Sequence, residues 1–310
     1  MLVVRLLKNR NFIFILALAL GLALGDWASW ARHLTVPALG LVMTVSMVQL
    51  PLSSMVPLKQ VIKPVVWTLV LNYLVFGAIT LLLAYYLAPD ENIWYGFVIV
   101  AAAPPGVAIA PFTGILSGNV KFSLMGVIGA YLASLLIIPL AGFLFIGGNF
   151  VDPLRLALIL LELIIAPFVI AQILIKVKAA PLISRWRGTI VNWGLFLVFF
   201  AIIALNREAL FSNPRILAYT ALISAVPIFG LGFLMEFIVF KLNVKKKNRS
   251  SLVLLSNVKN GGFAAATALS LFGNSASLPG AVTSVFLIIY LIFLTSGQKN
   301  TPENYISIIY

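Results

Sequence analysis

Leu254-Leu255-Ser256-Asn257-Val258-Lys259-Asn260-Gly261-Gly262-Phe263-Ala264-Ala265-Ala266 sets a lysine in the middle of an apolar segment running from about Arg249 to Gly273. Ten residues at about 1.5 Å each place Lys259 roughly 15 Å from the segment's basic end, near the centre of a hydrocarbon layer about 30 Å thick. A lysine stem reaches only part of that distance, so the ammonium cannot escape to the interface. An ionisable group at such depth is expensive and by default marks a pathway or binding site. The competing reading is a lysine in a protein-buried ion pair that only holds helices together.

The rest of the chain is consistent with a membrane setting. It is 62% hydrophobic and 9% charged, against about 25% charged in soluble domains, which makes it a polytopic membrane protein. It has no cysteine, so disulfides, thiolate metal sites and cysteine catalysis are excluded. The lone histidine, His33, rules out a histidine metal cluster or a catalytic triad within one chain. Ten spans are readable, at roughly 11–25, 34–50, 64–88, 93–117, 119–147, 153–175, 188–205, 214–240, 249–273 and 278–297. The first follows Arg5, Lys8 and Arg10 without a small-residue cleavage pattern, and is expected to be a retained span.

The net charge of +13 is a topology signal. With the N-terminus inside, sixteen of the 21 Lys and Arg residues fall on the cytoplasmic side. Four (Arg32, Arg155, Arg207 and Arg215) fall opposite, and Lys259 is in the membrane. That asymmetry expects a protein integral to the cytoplasmic membrane with both termini inside. Lys245-Lys246-Lys247 suits anionic membrane lipid, and no nucleic-acid partner is expected.

Connections are short, so no soluble module is expected. The midpoint falls near Gly147-Gly148-Asn149 and divides the chain into five-helix repeats at 1–147 and 148–300, with a tail at 301–310. Five spans per half forces opposite orientations, the inverted-repeat plan of many secondary transporters. The fourth span of each half carries a break: Ala103-Pro104-Pro105-Gly106 in span 4 and Asn260-Gly261-Gly262 in span 9. Prolines remove backbone donors and glycines weaken the helix, and such backbone survives at membrane depth only where protein or a water-filled cavity satisfies it. The fold class is therefore all-α, with ten transmembrane helices in two inverted five-helix repeats and spans 4 and 9 broken and crossing.

Two more acidic groups fall inside spans. Glu236 is five residues from Lys241 and can reach the interface. Glu162 lies about nine residues into span 6, and Lys259 is the other mid-membrane charge, so the two are candidates for a coupling pair or charge relay.

Span 9 resembles the signature of the bile acid:sodium symporter family, a segment of the form E-x-G-x-Q-N-x-G-x-A-x-A that crosses a second broken helix. Span 4 resembles the family's P-G-G-T-A-S-N segment and following G-N-V turn, through Pro104-Pro105-Gly106-Val107-Ala108-Ile109-Ala110 and Gly118-Asn119-Val120. The resemblance implies a core of spans 3–5 and 8–10 facing a panel of spans 1, 2, 6 and 7. It also implies transport of an organic anion, such as a bile acid, pantoate or pyruvate, coupled to sodium. Asn260 keeps the signature asparagine, which the resemblance places beside the substrate, with Gly261, Val107 and Ala108 supplying backbone there; the Lys259 ammonium is expected to attract an anionic substrate directly.

The departures concern the cation. The family's signature glutamate falls on Leu255 and its sodium-binding glutamine on Lys259. A Ser-Asn pair falls on Ile109 and Ala110, and a threonine on Val127. Asn72 and Ser123 are the residual sodium-site positions. Sodium needs several oxygen ligands, and most are missing. The expectation is an alternating-access carrier with no cofactor and no bound metal, in which the Lys259 ammonium replaces the cation. Val107 and Leu287 make the cavity apolar and suit a hydrophobic anion. The alternatives are a proton-coupled or cation/proton antiporter, although spans 4 and 9 contain no carboxylate, and a non-transporting sensor. An enzyme is not expected, because the groups for acid–base or nucleophilic chemistry are missing.

Overall fold

The computed structural model describes residues 10–147, 153–212 and 214–296. Arg5, Lys8, Lys299, the 301–310 tail and most of the expected midpoint lie outside the described residues. Among those described, every regular element is helical, and the one strand-like feature is an isolated bridge between Pro105 and Lys259. We label the helices α1 (Arg10–Leu24), α2 (Thr35–Met47), α3 (Leu58–Leu87), α4 (Glu91–Ala102), α5 (Ile109–Ile115), α6 (Val120–Phe145) and α7 (Leu154–Lys176). Then follow α8 (Ala180–Leu205), α9 (Arg207–Ser212), α10 (Pro214–Lys241), α11 (Lys246–Asn257), α12 (Gly261–Phe272) and α13 (Asn274–Ser296). Six of these, α3, α6, α7, α8, α10 and α13, are long and apolar enough to cross a membrane.

The helices begin where their sequences supply caps. Asp90 accepts a hydrogen bond from the Ile93 amide to open α4, and Asn119 accepts from Phe122 to open α6. Asn260 does the same for Phe263 at the start of α12. Three helices contain a π-type turn: α3 at Leu69–Val75, α7 at Leu161–Ile165 and α10 at Val226–Gly230. Each such turn widens the helix locally and re-aims side chains.

α8 packs along α1 and α2, and α7 packs on α2. Separately, α3 packs on α6, α4 on α13 and α12, and α10 on α11 and α13. The two groups meet where α8 and α2 touch α12 and where α8 touches α13. One end of the molecule gathers Lys247, whose carbonyl accepts from the Asn119 amide, and Lys121, which donates to Gln60. The other end gathers the 3-10 segment Gly25–Leu34, the end of α8 and the start of α13, where Asn206 donates to Ser277.

Boundaries differ from the sequence reading in two informative places. α8 was expected from residue 188 but begins at Ala180, with Pro181 in its opening turn and Arg185 and Arg187 carried on its first two turns. The break in span 9 was expected at Asn260-Gly261-Gly262 but occupies Val258–Asn260. The glycines open α12 instead of interrupting it. A Cβ on Gly261 would collide with the Ser284 hydroxyl and the Gly280 carbonyl, so the residue is small to admit α13.

Candidate functional site

Proline geometry ends α4. Pro104 and Pro105 lack N–H groups, and the residue before a proline is driven to extended backbone; Ala103 has φ −59° and ψ 146°. The last carbonyls of α4 are therefore left without helical donors. The same need arises at Val258, where α11 stops.

The two breaks satisfy each other. The Gly106 amide donates to the Val258 carbonyl at 3.0 Å, and the Asn260 amide donates to the Pro104 carbonyl at 3.0 Å. This two-bond antiparallel bridge fixes which side of the crossing each side chain takes, because successive residues of extended chain point opposite ways. Lys259 and Asn260 accordingly part company.

Lys259 turns toward α3 and the end of α4. Its ammonium donates to the Ala101 and Ala103 carbonyls, both at 2.8 Å, and lies 4.5 Å from the Tyr73 ring centroid and 5.4 Å from that of Phe76. The residue is 1% exposed, so no solvent reaches it. Three attractions meet there: charge-assisted hydrogen bonds, ring faces, and the negative end of a helix. Tyr73 is held in turn by donating to the Ala130 carbonyl at 2.8 Å.

Asn72, on the π-type turn of α3, serves the other broken end. Its amide donates to the Leu255 carbonyl at 3.1 Å and approaches that of Val258 at 3.4 Å. Ser123 lies farther along, paired with Thr113 at 2.9 Å in a buried contact. Thr113 spends its hydrogen on the Ile109 carbonyl at 2.7 Å, so Ser123 is the donor in that pair. Ile109, Ala110 and Val127 around it are apolar and buried.

Asn260 faces the other way, half-buried beside Val107 and Ala108, which are also half-buried. Its amide donates to the Tyr131 hydroxyl at 2.8 Å and lies 3.3 Å from the Met43 sulfur on α2. Gly261 is buried at the head of α12.

Of the expected site residues, the structure gathers Lys259, Asn260, Gly261, Val107, Ala108 and Asn72 at one crossing. It does not bring Glu162 there. Glu162 is exposed on the π-type turn of α7, with no hydrogen bond or ion pair to Lys259, whose buried ammonium gives two of its three N–H groups to backbone. Lys259 itself is sealed on the face opposite Asn260. Tyr73, Phe76, Tyr131 and Met43 were not singled out from the sequence. The signal for the first two was present as Asn72-Tyr73 and Phe76, a polar pair and a ring one turn on within an apolar run.

The profile of the Sodium Bile acid symporter family matches residues 36–213, more than half of the chain. The chain belongs to this family. As a Sodium Bile acid symporter family chain it is an integral membrane protein of a transporter family. The matched stretch contains the span 4 break, Asn72 and Ser123; Lys259 lies beyond it. Among curated proteins, none matches.

Proposed function

We propose that this protein is an alternating-access carrier of a small or amphipathic organic anion in which the Lys259 ammonium occupies the place of a coupling cation. The observation that carries this is the pair of 2.8 Å bonds from Lys259 to the Ala101 and Ala103 carbonyls at a helix crossing. A bound sodium ion is held by converging oxygens of this kind. A tethered cation provides the same neutralisation permanently, and sodium then has no seat. The hydroxyl pair Thr113–Ser123 fits this reading, since the two are engaged with each other and Thr113 also with the Ile109 carbonyl.

The ten-span inverted repeat belongs to the same proposal. It is supported by the order of irregular elements: spans 3 and 8 (α3 and α10) carry π-type turns, and spans 4 and 9 are broken. The division into a panel of α1, α2, α7 and α8 and a core of the other spans is supported by their packing. The anion would sit on the Asn260 side, between Val107, Ala108 and Asn260 in the core and Met43 on the panel. Lys259 acts on it through the positioned crossing and not by contact. Glu162, exposed on the panel, takes no part in the resting site. Cytoplasmic termini and a cytoplasmic-membrane location follow from the charge asymmetry of the loops.

The test is sodium linkage in the purified protein. The wild type should show the same thermal stability in sodium chloride as in an organic-cation chloride. Lys259→Gln opens the position and offers a carbonyl oxygen, so it should gain a sodium-dependent stabilisation, up to about 2.7 kcal/mol at a hundredfold excess over Kd. Sodium-dependent stability or uptake in the wild type would end the reading. A Lys259→Gln protein that folds yet ignores sodium would show that the ammonium does not occupy a cation position.

A further inference from the structure

Apart from the crossing, one concavity stands out by its charge. A cavity of about 220 Å³ is lined by Arg32, His33 and Thr35, by Arg155, and by Leu269 and Ser270 of α12. It lies at the end of the molecule that is poor in basic residues. Two of the four arginines that the charge count assigns to that side converge on it, with the only histidine of the chain. Arg32, His33 and Arg155 are exposed, and among the described residues no carboxylate pairs with any of them. Two guanidinium groups around one hollow repel each other unless an anion joins them, and planar guanidinium donors match an oxyanion's geometry.

The cavity's position gives it a role. Arg32, His33 and Thr35 precede and open α2, and Arg155 lies in the first turn of α7, whereas Leu269 and Ser270 belong to α12. α12 touches both α2 and the first turns of α7, so the hollow lies on the seam between the two packing groups. Leu269 is eight residues from Gly261, which puts the cavity roughly 12 Å along α12 from the crossing. Resting on the carrier reading above, we infer that this hollow is an anion-capture site at the mouth of the pathway. It holds the carboxylate or other oxyanion of the dissolved substrate before it descends along α12 to Asn260. The positive groups raise the local anion concentration and hence the capture rate, as a charged cleft does generally.

The chain has no cysteine, so a single reporter thiol can be placed at half-buried Ser270. Ser270→Cys in the full chain, in phosphatidylcholine nanodiscs, would be reacted with an anionic and a cationic methanethiosulfonate of similar size. Relative to a small free thiol, the anionic reagent should be favoured about tenfold or more. Arg32→Gln with Arg155→Gln should abolish that preference, and both positions are exposed enough to spare folding. Cholate, as the probe anion, should slow the anionic reagent in the wild-type background and not in the double variant. Equal rates for the two reagents overturn the inference. So does protection that appears only when phosphatidylglycerol is added and never with cholate, which would make the hollow a lipid headgroup site. The thiol chemistry needs no transport, so its failure is separable from a failure of the sodium-linkage test. If both readings hold, the double variant should raise the KM for uptake severalfold and leave kcat unchanged.

Discussion

Two helix ends at the crossing present the same problem and receive different answers. α4 stops at Ala102 and leaves carbonyls that are met by a charged side chain from the opposite broken span. α11 stops at Asn257 and leaves carbonyls that are met by a neutral amide from the intact neighbour α3. A neutral amide is enough to close a helix end in a dry interior. The charge on the α4 side is therefore more than a cap, because it costs desolvation that Asn72 avoids. Ring faces at 4.5 Å and 5.4 Å offset that cost. The difference separates a positioning device from a plain capping device.

Removing the charge should have the largest consequence. Lys259→Met keeps the length and apolar stem but orphans two buried carbonyls, each worth about 1–3 kcal/mol. Denaturant titration in detergent should give a loss of about 2–5 kcal/mol; an unchanged or raised stability would reduce Lys259 to a tolerated burial. Asn72→Leu should cost less, about 1–2 kcal/mol, because the Val258 carbonyl keeps the Gly106 amide and only the Leu255 carbonyl loses its donor. If it proved costlier than Lys259→Met, the contrast between the two ends would be reversed. Ser123→Ala should be the mildest, within about 1 kcal/mol, since Thr113 keeps its bond to Ile109. It should also leave transport unaltered, and a marked loss of transport would mean that this residual position still serves a cation.

The sequence carried the architecture through its exceptions. Pro104-Pro105 located the span 4 break to the residue, because proline acts on its own backbone and on the residue before it. Gly261-Gly262 misplaced the other break by about two residues, because Gly261 answers to α13 and Gly262 to Leu195 of α8, constraints from elsewhere in the chain. Lys259 stood out in the sequence as a charge within an apolar segment, and the structure buries it in protein. Its partners were not, since Ala101 and Ala103 contribute only main-chain oxygen. Glu162 was set opposite Lys259 because both fall near mid-membrane. Depth says nothing of azimuth, and the π-type turn at Leu161–Ile165 carries Glu162 to the exposed side of α7. Met43 and Tyr131 beside Asn260 were silent for the same reason, being a thioether and a phenol on two other helices.

The bridge between Gly106–Val258 and Asn260–Pro104 is made wholly of main chain. No side chain takes part in it; a proline at 260 would remove a donor, and any side chain at 106 would press on Val258 and the Lys259 carbonyl. Such a rivet is indifferent to which ion the neighbouring side chains favour. The side chains around it can therefore be exchanged, and the link that ties one broken helix to the other stays the same.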